Sequence, residues 1–323
     1  MNNLRMGLIG LGMMGRNHAR LLQRLEHVDF IGAVDPVGDP HGALYRGRLF
    51  GGVAQLLAEG VEAATVSVPT IQHEEVALQL AEAGIHALIE KPIAPTLESA
   101  NRIREAFESR SLIGAVGHVE RFNPALQAAK ERLDQGALGR VFSISTIRVG
   151  PFPGRIEDVG VVKDLASHDI DLVRWLGGAE FTSVTGYTAH KMGRKDEDLV
   201  AASGTLGNGT VVNLQVNWLT PTKQRSVTVL GERGAFVIDM LSSDLTYYSN
   251  AAVPSEWDSM ARLRGVSEGD MVRYALRKPE PLAVELENFR DAVFGVPGAQ
   301  YVSMADGVEV IRVAEQILGK GKS

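Results

Sequence analysis

Six residues near the start of the chain constrain its fold more than any others: Gly10-Leu11-Gly12-Met13-Met14-Gly15. They follow an apolar run, Arg5 to Ile9, that reads as a strand, and they open a helical pattern from Arg16 to Leu25. In that strand–turn–helix context the G-x-G-x-x-G pattern is a phosphate-binding turn. Gly10 permits the tight turn, Gly12 lets the backbone approach a pyrophosphate, and Gly15 lets helix and strand pack closely. The helix N-terminus, with Met13 and Met14 in its first turn, then faces the phosphates. The next strand, Phe30 to Val34, stops at Asp35, 20 positions beyond Gly15. A carboxylate there accepts hydrogen bonds from ribose hydroxyls and repels a 2′-phosphate. Gly10, Gly12, Met13, Met14, Gly15 and Asp35 are therefore candidate cofactor residues, and the expected cofactor is NAD.

A turn of this kind needs a parallel sheet around it. Short apolar runs at Ala63–Val68, Ala87–Ile89 and Leu112–Val116 alternate with helical patterns at His73–Ala83 and from Thr96, a capping residue, to Glu108. Strand–helix alternation with wholly apolar strands means βαβ units and a doubly wound parallel sheet, a Rossmann-type domain. Val37 to Gly52 is Gly-rich and poorly patterned and reads as loop, with at most one short helix. After about Gly117 the period changes to two. Val212, Leu214, Val216 and Trp218 alternate with Asn213, Gln215 and Asn217. That is an antiparallel-rich open sheet with one face on a core, interrupted by a strong helix from Asp164 to Leu176 and followed by helices at Glu285–Phe294 and Asp306–Leu318. Two domains fit the 323-residue length. The expected division is 1–118 for NAD binding and 119–323, an α+β domain, for substrate binding and oligomerisation.

Composition removes several function classes. The net charge of −6 gives no general attraction to nucleic acid or anionic membrane. With no cysteine, the chain has no disulfide, thiolate metal site or cysteine nucleophile, which fits the cytoplasm. Four glycines break the only run that resembles a signal peptide, and no apolar run nears the roughly 20 residues of a membrane span. His18, His73 and His118 lack metal-ligand spacing, so no metal is expected.

Two further patterns point to chemistry. Glu90-Lys91-Pro92 ends a predicted parallel strand, at the edge where open α/β sheets bind ligands. Asp164 and His168, four apart on one helix, share a face, and an imidazole can accept a hydroxyl proton near neutral pH. Asp169 and Asp171 are expected at solvent or domain contacts. His73 opens a helix beside the expected cofactor cleft, close enough to touch the cofactor.

Together these elements resemble the Gfo/Idh/MocA oxidoreductases. The resemblance spans essentially the whole chain: the glycine loop, Asp35-Pro36, Val68-Pro69-Thr70 with His73, Glu90-Lys91-Pro92, Gly117-His118, Arg121-Phe122-Asn123-Pro124, Asp164-x-x-x-His168, and Asp306-Gly307. Many relatives carry Gly two positions before the His, where this chain has Ala166. The resemblance implies an NAD-dependent dehydrogenase that moves a hydride from a sugar carbon to nicotinamide, with Lys91 and His168 catalytic and Asp164 in support. It adds Pro69, Thr70, His73, Glu90 and Lys91 to the cofactor residues. Val119 to Pro124 and Arg148 to Ile156 are similar to a branch acting on nucleotide sugars, at C3 of a sugar such as UDP-N-acetylglucosamine. The expected substrate residues are Lys91, Arg121, Asn123, Arg148, Phe152, Arg155, Asp164 and His168, with Arg148 and Arg155 on the phosphates and Phe152 packed on the ligand. An inositol or polyol dehydrogenase and a non-catalytic NAD-binding sensor are the alternatives. The expected partners are the small-molecule sugar and further copies of the chain, as a homodimer or homotetramer through the sheet face that carries Asn213, Gln215 and Asn217.

Overall fold

The computed structural model describes residues 3–154, 159–251 and 268–319. In the first unit, β1 (Leu4–Ile9), β2 (Val28–Val34), β3 (Arg48–Phe50), β4 (Ala63–Val66), β5 (His86–Glu90) and β6 (Gly114–Gly117) form one parallel sheet. Its order is β3-β2-β1-β4-β5-β6, the doubly wound arrangement. Apolar residues at successive positions explain burial on both faces. Leu4, Met6 and Leu8 enter one core, with Leu22 and Phe30. Ile9, Val34, Val66 and Ile89 enter the other, with Leu80, Ile103 and Phe107. Phe30 comes from β2; the helices that supply Leu22, Leu80, Ile103 and Phe107 are α1 (Met13–Leu22), α3 (His73–Glu82) and α4 (Leu97–Glu108), and α2 (Val53–Ala58) adds Leu56. Thr96 caps α4 as expected, its Oγ1 accepting from the Ser99 N–H at 3.2 Å.

The expected second domain, 119–323, needs correction. The first unit comprises Met1–Val119 together with Glu280–Glu315, and the second Glu120–Pro279 together with Gln316–Ser323. The reason is apolar burial. Helix α7 (Pro281–Val293) puts Leu282, Leu286 and Phe289 into the core that holds Met6 and Leu8, and α8 (Met304–Ile317) puts Val308 and Ile311 into the other. Ser303 also bridges to Ala115 on the sheet's edge strand.

The second unit is built on an eight-stranded sheet in the order β14-β13-β12-β11-β7-β10-β9-β8. The strands are β7 (Val141–Pro151), β8 (Phe181–Ala189), β9 (Leu199–Leu206), β10 (Val211–Asn217), β11 (Leu219–Gly231), β12 (Gly234–Asp239), β13 (Asp244–Asn250) and β14 (Glu268–Arg273). All neighbours pair antiparallel except β7 and β10, which are parallel. Helix α5 (Pro124–Asp134) packs on β12 and β13, and α6 (Ser167–Gly177) on β7 and β10. Asn213 and Gln215 are exposed as the alternation requires. Asn217 is not; its Oδ1 accepts from the N–H groups of Leu219 and Thr220 at 2.9 and 3.0 Å and is buried in that turn.

Two elements differ from expectation, and one falls in a stretch for which the sequence gives no reading. Arg48–Phe50, in the stretch read as loop, is a strand parallel to β2. Glu268–Arg273 is an edge strand on β13. The helix expected from Asp164 begins instead with a π turn, Val162–Ala166, before α6. Among the described residues, no helix is long and apolar enough to cross a membrane, and no group of three or more His, Asp or Glu is placed to hold a metal ion.

Candidate active-site residues

Register aligns the carboxyl ends of the first sheet. Ile9 pairs with Val34 and Val66, Val66 with Ile89, and Ile89 with Val116. Asp35, Gly10, Ser67, Glu90 and Gly117 therefore follow one another along a single edge. Gly10 has φ +96°, and a Cβ there would lie 2.7 Å from the Ser67 backbone. At Gly15 a Cβ would collide with the Gly10 carbonyl oxygen, so helix and turn close only around glycine. Gly12 caps α1 with no side-chain hydrogen bond and has open space where a Cβ would point. The first N–H groups of α1, with the exposed Met13 and half-buried Met14, are thus available to a pyrophosphate. Asp35 accepts the Leu11 N–H at 2.7 Å and the Val37 N–H at 2.8 Å, one on each carboxylate oxygen. Each oxygen keeps a lone pair for a ribose hydroxyl. These residues fit a dinucleotide.

The other expected cofactor residues divide. Pro69 leads into a single 3₁₀ turn, Thr70–Gln72, with Thr70 buried. His73 is buried, and its ring nitrogens lie 3.0 Å from the carbonyl oxygens of Pro92 and Val68. It braces the loops after β4 and β5, and both of its ring nitrogens are engaged there rather than aimed at a ligand. Glu90 is also buried. It accepts from the His18 Nε2–H at 2.8 Å and the Lys91 N–H at 3.2 Å. Burial alone would push the Glu90 carboxyl up, but the hydrogen bond and charge of His18, then the charge and N–H of Lys91, hold it below the ordinary carboxylate range. His18, unmarked by any sequence pattern, is thus the support of the Glu-Lys-Pro turn, and Lys91 stands half-buried at its start.

In the second unit, Asp164 is buried within the π turn and His168 is half-buried in the first turn of α6. Glu197 holds that segment. Its carboxylate accepts the Val162 N–H at 3.0 Å, its carbonyl accepts the Val161 N–H at 2.9 Å, and Gly160 leaves the space it fills. A π turn inside a helix shifts the angle between Asp164 and His168 away from that of a regular α-helical pair. Such turns recur at functional sites.

Several expected substrate residues are engaged with neighbouring groups of the chain. Arg148 is fully buried. Its Nε donates to both Asp169 oxygens at 3.1 Å and its Nη1 to Glu120 at 2.8 Å. Arg121 makes a two-pronged pair with Asp171 at 2.5 and 2.7 Å. Asp169 and Asp171 are therefore core partners of arginines rather than solvent or domain contacts. Burial pushes the Asp169 carboxyl up to about 6 despite Arg148. Asn123 caps α5 through Oδ1 and donates from Nδ2 to the Met240 carbonyl at 3.0 Å, which uses both ends of its amide. The Phe152 ring meets Trp218 edge-on at 5.2 Å, and the Arg194 guanidinium covers it at 4.3 Å. Arg155 lies outside the described residues.

A glycine-turn dinucleotide domain with a strand-end Lys, joined to an α+β unit that carries an Asp/His helix, defines an NAD-binding oxidoreductase. Comparison with known proteins gives the family. Residues 4–118 match the model "Oxidoreductase family, NAD-binding Rossmann fold", and 126–237 match the "GFO/IDH/MocA C-terminal domain". The chain is 32% identical to UDP-N-acetylglucosamine 3-dehydrogenase of Acidithiobacillus ferrooxidans, over 97% of this chain and 95% of that one. A solved structure of the same enzyme superposes with a TM-score of 0.84 at 30% identity, covering 99% of this chain and 98% of that chain. Inositol 2-dehydrogenase 2 of Saccharopolyspora erythraea is also 32% identical, over 59% of this chain and 58% of its own. The chain belongs to the Gfo/Idh/MocA family of oxidoreductases.

Proposed function

We propose that this protein oxidises a hydroxyl of a nucleotide-linked sugar, with C3 of UDP-N-acetylglucosamine the expected position. The observation that carries this reading is the breadth of the similarity. It runs through both units against UDP-N-acetylglucosamine 3-dehydrogenase, at 97% of the chain, but through only 59% against the inositol dehydrogenase. Bound NAD supplies the hydride acceptor. The chain does the rest. The glycine loop and the start of α1 hold the pyrophosphate, and Asp35 takes the ribose hydroxyls and disfavours a 2′-phosphate. His168 removes the hydroxyl proton, Asp164 supports its cation, and Lys91 orients the hydroxyl and stabilises the charge that develops on oxygen.

The test is NADH formation by the full chain with UDP-N-acetylglucosamine, inositol or free glucose. Only the first is expected to turn over. His168→Asn and Lys91→Ala each lower turnover by roughly 10² to 10⁴. His168→Asn leaves NAD affinity nearly unchanged, because the NAD-holding residues are on the first unit. Near-normal turnover in either variant removes that residue from the chemistry. Robust turnover of inositol, with none of any nucleotide sugar, replaces the substrate with a polyol. NAD binding without turnover of any sugar leaves a sensor.

We also infer that copies of the chain assemble through the exposed face of the eight-stranded sheet. Thr185, Ser203, Asn213 and Gln215 line that face, small or polar groups suited to a wet interface. Light scattering then reads two or four times the chain mass of 34.8 kDa. A reading of one mass at micromolar concentration excludes the assembly.

A further inference from the structure

The charged groups packed behind the helix of His168 are unequally satisfied. Arg148 on β7 and Arg225 on β11 are cross-strand partners. Arg148 takes the nearby carboxylates, with Asp169 on its Nε and Glu120 on its Nη1. Arg225 is left with little. Its Nη1 lies 3.6 Å from Glu120 Oε1, beyond hydrogen-bond reach, and its guanidinium makes no hydrogen bond to any described residue. The side chain is 36% exposed, so its donors reach solvent. Burial, then Arg148, pulls the Arg225 pKa below its ordinary value; Glu120, Asp169 and Asp164 offset only part of this. The guanidinium is therefore partly desolvated and only partly compensated, with donors left over for an incoming anion. The same balance sets Arg225 within electrostatic reach of Asp164, the residue assigned to support the base. Lys223, exposed and without an ion pair among the described residues, lies against Gly150, so β11 brings a second cation to the start of the turn Gly150 to Gly154.

We propose that Arg225, with Lys223 beside it, binds the sugar-linked phosphate of the substrate, the role expected of Arg148 and Arg155. Its planar fork of five donors matches two phosphate oxygens at once, which a buried and fully engaged Arg148 does not offer. The assignment rests on the nucleotide-sugar reading above and names the residue that makes the protein prefer such a sugar over a neutral one.

The test uses the full chain with NAD present and three ligands of increasing charge: N-acetylglucosamine, its 1-phosphate, and UDP-N-acetylglucosamine. Calorimetry gives each Kd for the wild type and for Arg225→Gln. The expected result is a loss of about tenfold or more for both phosphate-bearing ligands, with affinity for the neutral sugar and for NAD held within about twofold. Arg225→Lys recovers part of the loss, and Lys223→Gln costs about threefold. Should Arg225→Gln fail to fold, the Lys variant carries the same comparison at about threefold. Equal UDP-sugar affinity in wild type and variant overturns the role of Arg225 and leaves the nucleotide-sugar reading standing. Parallel loss of all three ligands also overturns it, as the mark of a structural residue. A loss confined to the UDP-sugar moves the contact off the sugar-linked phosphate and overturns the assignment. A wild type that binds neither phosphate-bearing ligand overturns both readings together.

Discussion

Glu90 shows how one buried side chain organises a turn. It is sealed between α1, through His18, and the backbone of Lys91, and Gly117 leaves room for its carboxyl, which a Cβ there would approach to 3.2 Å. Its folded pKa lies below the ordinary 4.5, so the unfolded chain takes up its proton first as pH falls. The stability it contributes is complete above that ordinary value and is lost as pH drops through the folded one. Urea midpoints of the wild type should therefore fall more steeply between about pH 5 and pH 3.5 than those of Glu90→Gln, which starts lower at neutral pH. Parallel curves would mean that Glu90 is not held ionised by its neighbours. His18 was invisible in the sequence because its partner is 72 positions away. The glycines of the loop were readable because their spacing is local, although the backbone that Gly10 must clear belongs to Ser67.

At the scale of elements, the same division holds. Strands β1, β2, β4 and β5 were legible because both of their faces are apolar, and β10 because it alternates cleanly. Strand β3 was not. Its Arg48 and Leu49 are exposed, and only pairing with Gly32–Val34, set by the sheet, makes it a strand. The edge strand β14 presents Met271 and Val272 to solvent and has no apolar face to read. The π turn at Val162–Ala166 escaped for a related reason. The Glu197 carboxylate that accepts its first N–H lies in the β8–β9 connection, which no pattern within 162–176 records. Arg148 was expected on a phosphate because the resemblance places it beside the ligand. The strand periodicity that turns Arg148 inward, toward Asp169, was in the sequence, but the compensating charge was on another element. Arg225 sits in no motif at all, and only its register opposite Arg148 brings it forward.

At the scale of the molecule, the dinucleotide domain is discontinuous. Leu286, Phe289 and Ile311 are completely buried in its two cores, and each contributes about 1.5–3 kcal/mol by leaving water. Their sum, about 5–9 kcal/mol, is comparable with the whole stability of a typical domain. A fragment ending at Val119 should therefore show no cooperative melting transition and no NAD binding. A chain that joins 1–119 to 280–319 through a Gly/Ser linker should show both. A cooperative melt of the shorter fragment would contradict the accounting.

That discontinuity also sets a schedule. A ribosome adds roughly 5–20 residues per second, so the 160 residues of Glu120–Pro279 take about 8–30 s to synthesise. Throughout that interval the nascent glycine-loop sheet has been made but lacks α7 and α8, two of the helices that cover it, so part of its apolar surface stays exposed. The intervening domain, contiguous but for its last few residues, completes most of its sheet first. The dinucleotide domain whose glycine loop is made first is thus completed only once Glu280–Glu315 have been made.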